Sequence, residues 1–259
     1  MSGNKPLGDF LRSRRYRLDP VALGLSGTRR RRTPGLRREE VADRARISCE
    51  WYVKLEQGRP VSASAGTIAA LARALALDAA ETAHLHKLAA RSSAEAFGQE
   101  TVPEIINTIV KSLPEPAYVT GLRWDVLAWN AAADELFGFT SMDQRERNIL
   151  RYMLTTPDAR AMFGRDWAQE AERMIALFRP TYDQRAGDPA FEELVLALSE
   201  ACDEFRGWWC SHLVASPSAG TKTLHSSGRD GATYVYASFQ ANDDPALKLA
   251  LYTRRHGMP

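Results

Sequence analysis

The chain has 259 residues, 44% of them hydrophobic and 25% charged, which predicts about two globular domains and excludes a disordered chain. Three cysteines are too few for a disulfide framework, no apolar run approaches the roughly 18 residues that cross a bilayer, and no secretory h-region follows Met1. Residues 1–95 carry 18 Lys and Arg against 10 Asp and Glu, whereas the remainder carries 16 against 22. We therefore expect a soluble cytoplasmic protein whose basic first block binds a polyanion.

The first block, residues 1–95, predicts an all-α domain of five helices. Ser48 supplies an N-cap hydroxyl to the third helix, Gly58 ends that helix, and Asp78 with Glu81 forms a capping box that opens the fifth. Asp9 is expected to cap the first helix. The expected helices span residues 9–16, 36–43, 48–57, 64–76 and 78–90, and an irregular basic insertion separates the first two.

The second and third helices, joined by a tight turn, have the arrangement that a major-groove reader needs. The groove is about 12 Å wide and admits a helix end-on, so residues in the first turns of the third helix reach base edges. That geometry selects Ser48, Cys49, Glu50 and Lys54. Trp51 has two readings, packing on backbone sugars or packing on the neighbouring helix.

Two segments carry a family resemblance, RTPGLRREEVA at residues 32–42 and SCEWYVKLEQGR at residues 48–59. They resemble the helix-turn-helix of the MmyB-like regulators, a branch of the Cro/repressor-type group. The resemblance implies a DNA-binding head in which residues 33–38 and 48–59 face the duplex. The alternative is a helical bundle whose arginines form a solvated face. The expected DNA-binding residues are Arg29, Arg30, Arg31, Arg32, Thr33, Arg37, Arg38, Ser48, Cys49, Glu50, Trp51, Lys54 and Arg59.

After an aperiodic linker, residues 101–259 predict an α+β domain. A helix over residues 103–113 precedes two strands, a helical middle follows, and three strands close the chain. About five antiparallel strands with helices over one face indicate a PAS-like sensor fold. The expected strands span 117–120, 124–129, 222–225, 233–240 and 248–253, and the expected helices of the middle span 131–137, 148–154, 167–178, 190–198 and 202–212.

The same family resemblance extends through this second half. It rests on Trp129 with Asn130, RNILR at 147–151, PDAR at 157–160, Asp166 with Trp167, Phe205 with Trp209 and His212, Lys222 with His225, and Leu251 with Tyr252. These look like the MmyB-like ligand-binding domain. Two positions depart from the family: Met153 and Leu154 stand where a Phe is usual, and Ser226 follows His225 where a Pro is usual. Those departures concern the shape of the ligand pocket.

The aromatic and sulfur-bearing side chains of this half suggest a cavity for a small apolar, acyl-like or aromatic molecule, since ligand cavities are mostly apolar with a few polar groups. The alternative is that they simply fill the core. For Asn130, capping the following helix is the favoured role. The expected ligand-binding residues are Trp129, Asn130, Arg151, Phe163, Trp167, Met174, Phe178, Phe205, Trp209 and His212.

Catalytic and metal sites find no support in the sequence. His84 and His86 point to different faces of one helix, and Cys202 and Cys210 are two helical turns apart. No nucleophile elbow, phosphate loop or dinucleotide fingerprint occurs. We expect no enzyme activity, no cofactor and no metal.

These patterns together predict a transcription regulator associated with the nucleoid. Its partners are a double-stranded DNA operator, a small apolar ligand and a second copy of the chain, because heads of this type read paired half-sites as dimers. Two alternatives stay open: a DNA binder whose second domain only dimerises, and an enzyme domain fused to a DNA-binding head.

Overall fold

The computed structural model describes residues 4–25, 34–59, 61, 63–90, 97–98, 100–225 and 231–255. It divides the chain into two compact units. The first contains all described residues up to residue 90, and the second contains most of those from residue 97 onward.

The first unit is the predicted five-helix domain. Its helices are α1 (Lys5–Arg17), α2 (Arg38–Ala45), α3 (Cys49–Glu56), α4 (Ala65–Ala74) and α5 (Ala79–Ala89). Ser48 caps α3, and the capping box of Asp78 and Glu81 opens α5, as predicted. The expected cap at Asp9 is wrong, because α1 begins one turn earlier, where the side chain of Asn4 accepts a hydrogen bond from the Leu7 amide at 3.2 Å.

One apolar core holds these five helices together. Tyr52 and Leu55 of α3 are buried at the i, i+3 spacing that the sequence predicts, and Leu71 of α4 is completely buried. Leu36 is also completely buried, although it precedes α2 and lies in the chain that leads into that helix. Helices α3 and α4 therefore each place an apolar stripe inward.

The second unit is a five-stranded antiparallel sheet with helices, as predicted. Helix α6 (Glu104–Ser112) precedes β1 (Ala117–Thr120) and β2 (Val126–Trp129). The middle contains α7 (Ala131–Phe137), α8 (Ile149–Thr155), α9 (Pro157–Phe163), α10 (Trp167–Gln184), α11 (Pro189–Ala201) and α12 (Asp203–Cys210). The last strands are β3 (Gly220–Leu224), β4 (Ala232–Gln240) and β5 (Lys248–Arg254), and the strand order is β2-β1-β5-β4-β3.

The two faces of this sheet meet different surroundings. Because side chains alternate along a strand, Tyr118, Ala250 and Tyr252 point into the large core beneath α7–α12. Val119 and Leu249 point to the opposite face, where Val110 of α6 packs. We call these the inner and the outer face. Helix α6 contacts β1 and β2 at one end of the outer face.

Asn130 fastens the start of α7 to the sheet. Its side-chain oxygen accepts hydrogen bonds from the amides of Ala117 and Ala133, and its amide nitrogen donates to the carbonyls of Leu113 and Glu115. The predicted capping role is therefore confirmed, and the same side chain also holds the segment between α6 and β1.

Replacing this side chain should destabilise the second unit. We expect Asn130→Ala to lower the free energy of unfolding by about 2–4 kcal/mol, because it removes a helix cap and leaves two carbonyls and a strand amide unsatisfied. Urea unfolding followed by tryptophan fluorescence measures this, since five of the six tryptophans lie after residue 100. Asn107→Ala in α6 is the control and should unfold like the parent chain. Equal midpoints for the two variants would refute the role of Asn130.

Candidate functional site

The turn between α2 and α3 is set by two local features. Arg46 has a left-handed backbone, with φ 56°, and the amide of the next residue, Ile47, donates to the carbonyl of Ala42 at 3.0 Å, which closes α2. Ser48 then accepts a hydrogen bond from the Trp51 amide at 3.2 Å, which starts α3. The chain thus reverses within three residues, and the N-terminal turn of α3 carries exposed Ser48 and Glu50.

The other end of α3 is fixed by a buried carboxylate, Glu56. Its side chain is completely buried, and Arg15 of α1 donates to both carboxylate oxygens at 2.7 and 2.8 Å. The same guanidinium donates to the carbonyl of Leu36 at 2.9 Å, and Arg38 of α2 approaches the carboxylate at 2.8 Å. Glu56 therefore ties α1, α2 and α3 to one another.

The electrostatics of this cluster keep Glu56 charged. Burial by itself raises the pKa of Glu56, but hydrogen bonds and positive charge from Arg15 and Arg38 lower it below its usual value. The pKa of the neighbouring Tyr52 is raised, chiefly by burial. Charged arginines thus hold a charged carboxylate at the base of α3.

The exposed face of α3 carries the residues predicted to read bases. Lys54 lies 2.8 Å from the carboxylate of Glu50 one turn away, and this hydrogen bond lowers the pKa of Glu50. Cys49 and Trp51 are half-buried and pack against the helical core, which favours the helix-packing reading of Trp51. A base contact by Glu50 or Lys54 would therefore have to open their mutual ion pair.

The predicted arginines differ in how free they are to meet a phosphate. Arg37 and Arg59 are exposed, whereas Arg38 is exposed for 42% of its side chain and already contacts Glu56. Arg29, Arg30, Arg31, Arg32 and Thr33 lie outside the described residues. Sequence reasoning missed Arg15 and Glu56, because nothing in their spacing shows that a charge of α1 meets one of α3.

A cavity lies in the second unit between the inner face of the sheet and the helices. Its water-accessible volume is about 80 Å³. The strand residues that line it are Tyr118, Thr120, Lys222, Tyr236, Ser238, Lys248, Ala250 and Tyr252. The helical residues that line it are Phe137, Ile149, Tyr152, Met153, Phe163, Arg173, Met174 and Leu177, and Trp124, Pro217 and Ser218 complete the wall.

One part of the wall is polar and positively charged. Lys222 lies 3.0 Å from the carboxylate of Glu170 and 4.4 Å from the ring centre of Tyr236. Burial lowers the pKa of Lys222, and the charge of Glu170 opposes that shift. Arg173 donates to the hydroxyl of Ser218 at 2.7 Å. The cavity is therefore aromatic along the sheet and cationic near α10.

Only two of the ten predicted ligand-binding residues, Phe163 and Met174, line this cavity. Phe178 and Phe205 are completely buried in the core. His212 lies outside the cavity wall, and so does Trp209, which stacks on Phe205 at 5.3 Å between ring centres. These four residues therefore either pack in the core or lie away from the cavity.

The remaining predicted ligand residues make specific contacts elsewhere. Trp167 donates from its indole nitrogen to the Met153 carbonyl at 2.8 Å, and Trp129 donates to the Thr140 hydroxyl at 3.3 Å. Arg151 lies 3.2 Å from the carboxylate of Glu146. Asn130 makes the hydrogen bonds to the start of α7 and to the segment before β1 that are described above. None of these four lines the cavity.

Sequence reasoning missed most of the polar and sheet residues of the cavity. Alternation along the last strand could have placed Lys248, Ala250 and Tyr252 on one face, since residues two apart share a side of a strand. Trp124 also lines the cavity, although it is not among the predicted ligand-binding residues. It has a left-handed φ of 67°, and its indole nitrogen is buried with no hydrogen-bond partner among the described residues.

The described residues form neither a metal-binding cluster nor a membrane-spanning helix. Within the described ranges, no group of three or more His, Cys, Asp or Glu side chains is arranged to hold a metal ion. No helix in the same ranges is long and apolar enough to cross a membrane.

Comparison with known families matches both halves of the chain. Residues 6–85 match a helix-turn-helix domain. Residues 102–259 match the MmyB-like transcription regulator ligand binding domain. No curated protein matches the chain.

Removing the charge of Glu56 should loosen the first unit. We expect Glu56→Gln to lower the free energy of unfolding of this unit by about 3–5 kcal/mol, because the buried guanidinium of Arg15 loses its counter-charge. Hydrogen exchange of α1–α3 peptides in the full chain measures this loss, and Glu50→Gln, which alters an exposed carboxylate, should leave the exchange near that of the parent chain.

The same contribution should depend on pH. Because the pKa of Glu56 is lower in the folded state than its unfolded value of about 4.3, its stabilisation is complete above that pH and is lost as the pH falls through the folded pKa. The parent chain should therefore lose protection in α1–α3 in acid more steeply than Glu56→Gln. Parallel pH profiles would contradict this assignment.

Proposed function

The chain belongs to the MmyB-like transcription regulators, and we propose that it reads an operator with the first turns of α3 and responds to a small apolar effector held in the cavity. The observation that carries the proposal is the geometry of α3, whose Glu56 end is buried while its N-terminal turn is exposed. Because a protein that reads an operator must be where the DNA is, we also propose a cytoplasmic, nucleoid-associated location.

The dimensions of α3 suit a groove reader. Eight residues make a helix about 12 Å long, comparable with the width of the major groove. Ser48, Glu50 and Lys54 then meet base edges, whereas Arg37 and Arg59 contact phosphates. Base contacts give sequence preference, and phosphate contacts give affinity that falls with salt.

The cavity supports an effector with an apolar body, acyl-like or aromatic. Tyr118, Tyr236 and Tyr252 provide aromatic surface, and Met153 and Met174 provide adaptable side chains. The indole N–H of Trp124, which has no hydrogen-bond partner in the part of the chain that the structure describes, and the ammonium of Lys222 offer polar contacts that would orient such a molecule. Effector binding can change operator affinity only as far as it favours one state of the protein, typically 5–150-fold.

We further propose that the regulator acts as a homodimer, since heads of this kind bind two half-sites about one helical turn apart. A second candidate, a regulator whose second domain only dimerises, is favoured by the small water-accessible volume of about 80 Å³. Drug-sized ligands usually occupy roughly 300–1,000 Å³. We propose no catalytic role, and the titratable pair beside the cavity, Glu170 and Lys222, is an ion pair at 3.0 Å.

Loss of a base contact should relax sequence preference. The measured quantity is the ratio of the affinity for duplexes selected from a random pool to the affinity for scrambled duplexes of equal length. We expect Lys54→Ala to reduce this ratio by about 5–150-fold. Arg37→Ala should weaken both duplexes alike, and Lys87→Ala in α5 should change neither. Fluorescence anisotropy at several salt concentrations should show that log K falls linearly with the logarithm of the salt concentration, with a slope of about −0.9 per phosphate contact. An unchanged ratio for Lys54→Ala, or a flat salt dependence, would refute this mode of reading.

Filling the cavity should remove the effector. Ala250 lines the cavity and is buried on the inner face, so Ala250→Phe should exclude a ligand that the parent chain retains through purification. Native mass spectrometry should show extra non-covalent mass on the parent chain and on the exposed control Ala201→Phe, but none on Ala250→Phe. Absence of bound mass on the parent chain would favour the dimerisation-only candidate.

A further inference from the structure

Glu50 and Lys54 form an ion pair on the exposed face of α3. They are four residues apart, so they lie on the same side of the helix, and the ammonium of Lys54 is 2.8 Å from a carboxylate oxygen of Glu50. The side chain of Glu50 is 79% exposed and that of Lys54 is 40% exposed. Surface pairs of this kind contribute little stability in water, so this pair opens readily when a partner offers both charges new hydrogen bonds.

The two side chains make opposite demands on the major groove. The hydrogen bond from Lys54 lowers the pKa of Glu50, so the carboxylate is ionised at neutral pH and accepts hydrogen bonds without donating any. Base edges in the major groove offer donors only at the amino groups of cytosine and adenine, and phosphates surround the groove. DNA therefore attracts Lys54 everywhere, but repels Glu50 wherever no amino group faces it.

A C·G base pair meets both demands at once. Guanine presents two acceptors, N7 and O6, to the ammonium of Lys54, and the N4 amino group of its cytosine lies directly beside O6. An A·T pair also presents an amino group and a keto oxygen. In that pair, however, the adenine N7 acceptor lies beside the amino group, where it repels a carboxylate, and a methyl group lies beside the thymine O4. The chemistry of the two side chains therefore favours C·G over A·T.

We propose that Glu50 and Lys54 read a single C·G base pair together, Lys54 donating to the guanine and Glu50 accepting from the amino group of the paired cytosine. The inference rests on the proposed reading of DNA by α3 and names the base pair that this helix selects. Lys54 supplies attraction. Glu50 supplies discrimination, because its carboxylate is left without a donor in the groove of any duplex that lacks the cytosine.

Removing the carboxylate tests the role of Glu50. The duplexes are those that the parent chain selects from a random pool and scrambled duplexes of equal length. Glu50→Ala should bind scrambled duplexes about 2–10-fold more tightly, because it removes a charge that phosphates repel. It should also lower the ratio of selected to scrambled affinity by about 5–150-fold. The control Asp43→Ala removes an exposed carboxylate of α2 and should leave this ratio unchanged.

Exchanging the two charges tests whether they read the same base pair. Single base-pair replacements in the selected duplex first identify the position at which Lys54→Ala loses its preference, and we expect a C·G pair there. The double variant Glu50→Lys with Lys54→Glu should prefer the duplex in which this pair is inverted by about 5–150-fold over the parent duplex. Equal affinity of the double variant for the two duplexes, or preference for the parent duplex, would overturn joint reading.

A base analogue locates the contact in the major groove. Inosine in place of the guanine removes only the minor-groove amino group, so the parent chain should bind this duplex as it binds the selected one. An A·T pair at the same position should weaken binding by about 5–150-fold. Weak binding to the inosine duplex would contradict a major-groove contact at this base pair.

The outcomes separate this inference from the proposed function. A parent chain that binds selected and scrambled duplexes equally would overturn the reading of DNA by α3 and this inference with it. A ratio that Lys54→Ala lowers but Glu50→Ala leaves unchanged would overturn only the role of Glu50. Loss of preference by Lys54→Ala at a position other than a C·G pair would likewise overturn only the inference, and α3 would keep its proposed role.

Discussion

The helical domain depends on one buried interaction, the carboxylate of Glu56 held by Arg15 and approached by Arg38. A buried charge is costly unless it is paired and hydrogen-bonded, so helices α1 and α2 must both be in place before Glu56 can be buried at the end of α3. The backbone is equally constrained here: a Cβ on Gly8 of α1 would come within 2.4 Å of the Glu56 carbonyl oxygen. This close contact fixes α3 at its C-terminal end, whereas its N-terminal turn is exposed.

The alternation of side chains along its strands gives the sheet of the second unit two different faces. The inner face supplies tyrosines and Lys222 to the cavity, and the outer face supplies the aliphatic surface that α6 partly covers. Neighbouring residues of one strand therefore lie on opposite faces, for example Tyr236, which lines the cavity, and Val235, which is exposed.

Periodicity and capping predicted most of the fold. The apolar stripe of α4, the capping box at Asp78 and the alternation of β4 are local signals, and all correspond to observed elements. Local sequence predicts too late a start for the first helix because Asp9 is a plausible cap, whereas the side chain of Asn4 caps the helix and its backbone amide donates to the distant Gly58 carbonyl. Local sequence does not contain that tertiary contact.

The candidate sites were less predictable for the same reason. The exposed turn of α3 follows from a short motif, so its residues could be named from the sequence, although their roles in DNA binding remain predictions. The cavity wall is assembled from eight separate elements and loops, and aromatic type alone does not distinguish Phe163, which lines it, from Phe178, which is buried in the core. Lys222 belongs to a motif that the sequence shows, but only the folded sheet places its ammonium beside Glu170.

The most direct test of the account is lysine modification of the full chain with and without an operator duplex selected from a random pool. The first 95 residues contain three lysines, Lys5, Lys54 and Lys87, and mass spectrometry reports the reactivity of each. If α3 enters the major groove, Lys54 should become protected by the duplex while Lys87 of α5 keeps its reactivity. Unchanged reactivity of Lys54 together with protection of Lys87 would contradict the assignment of α3 as the DNA-reading helix.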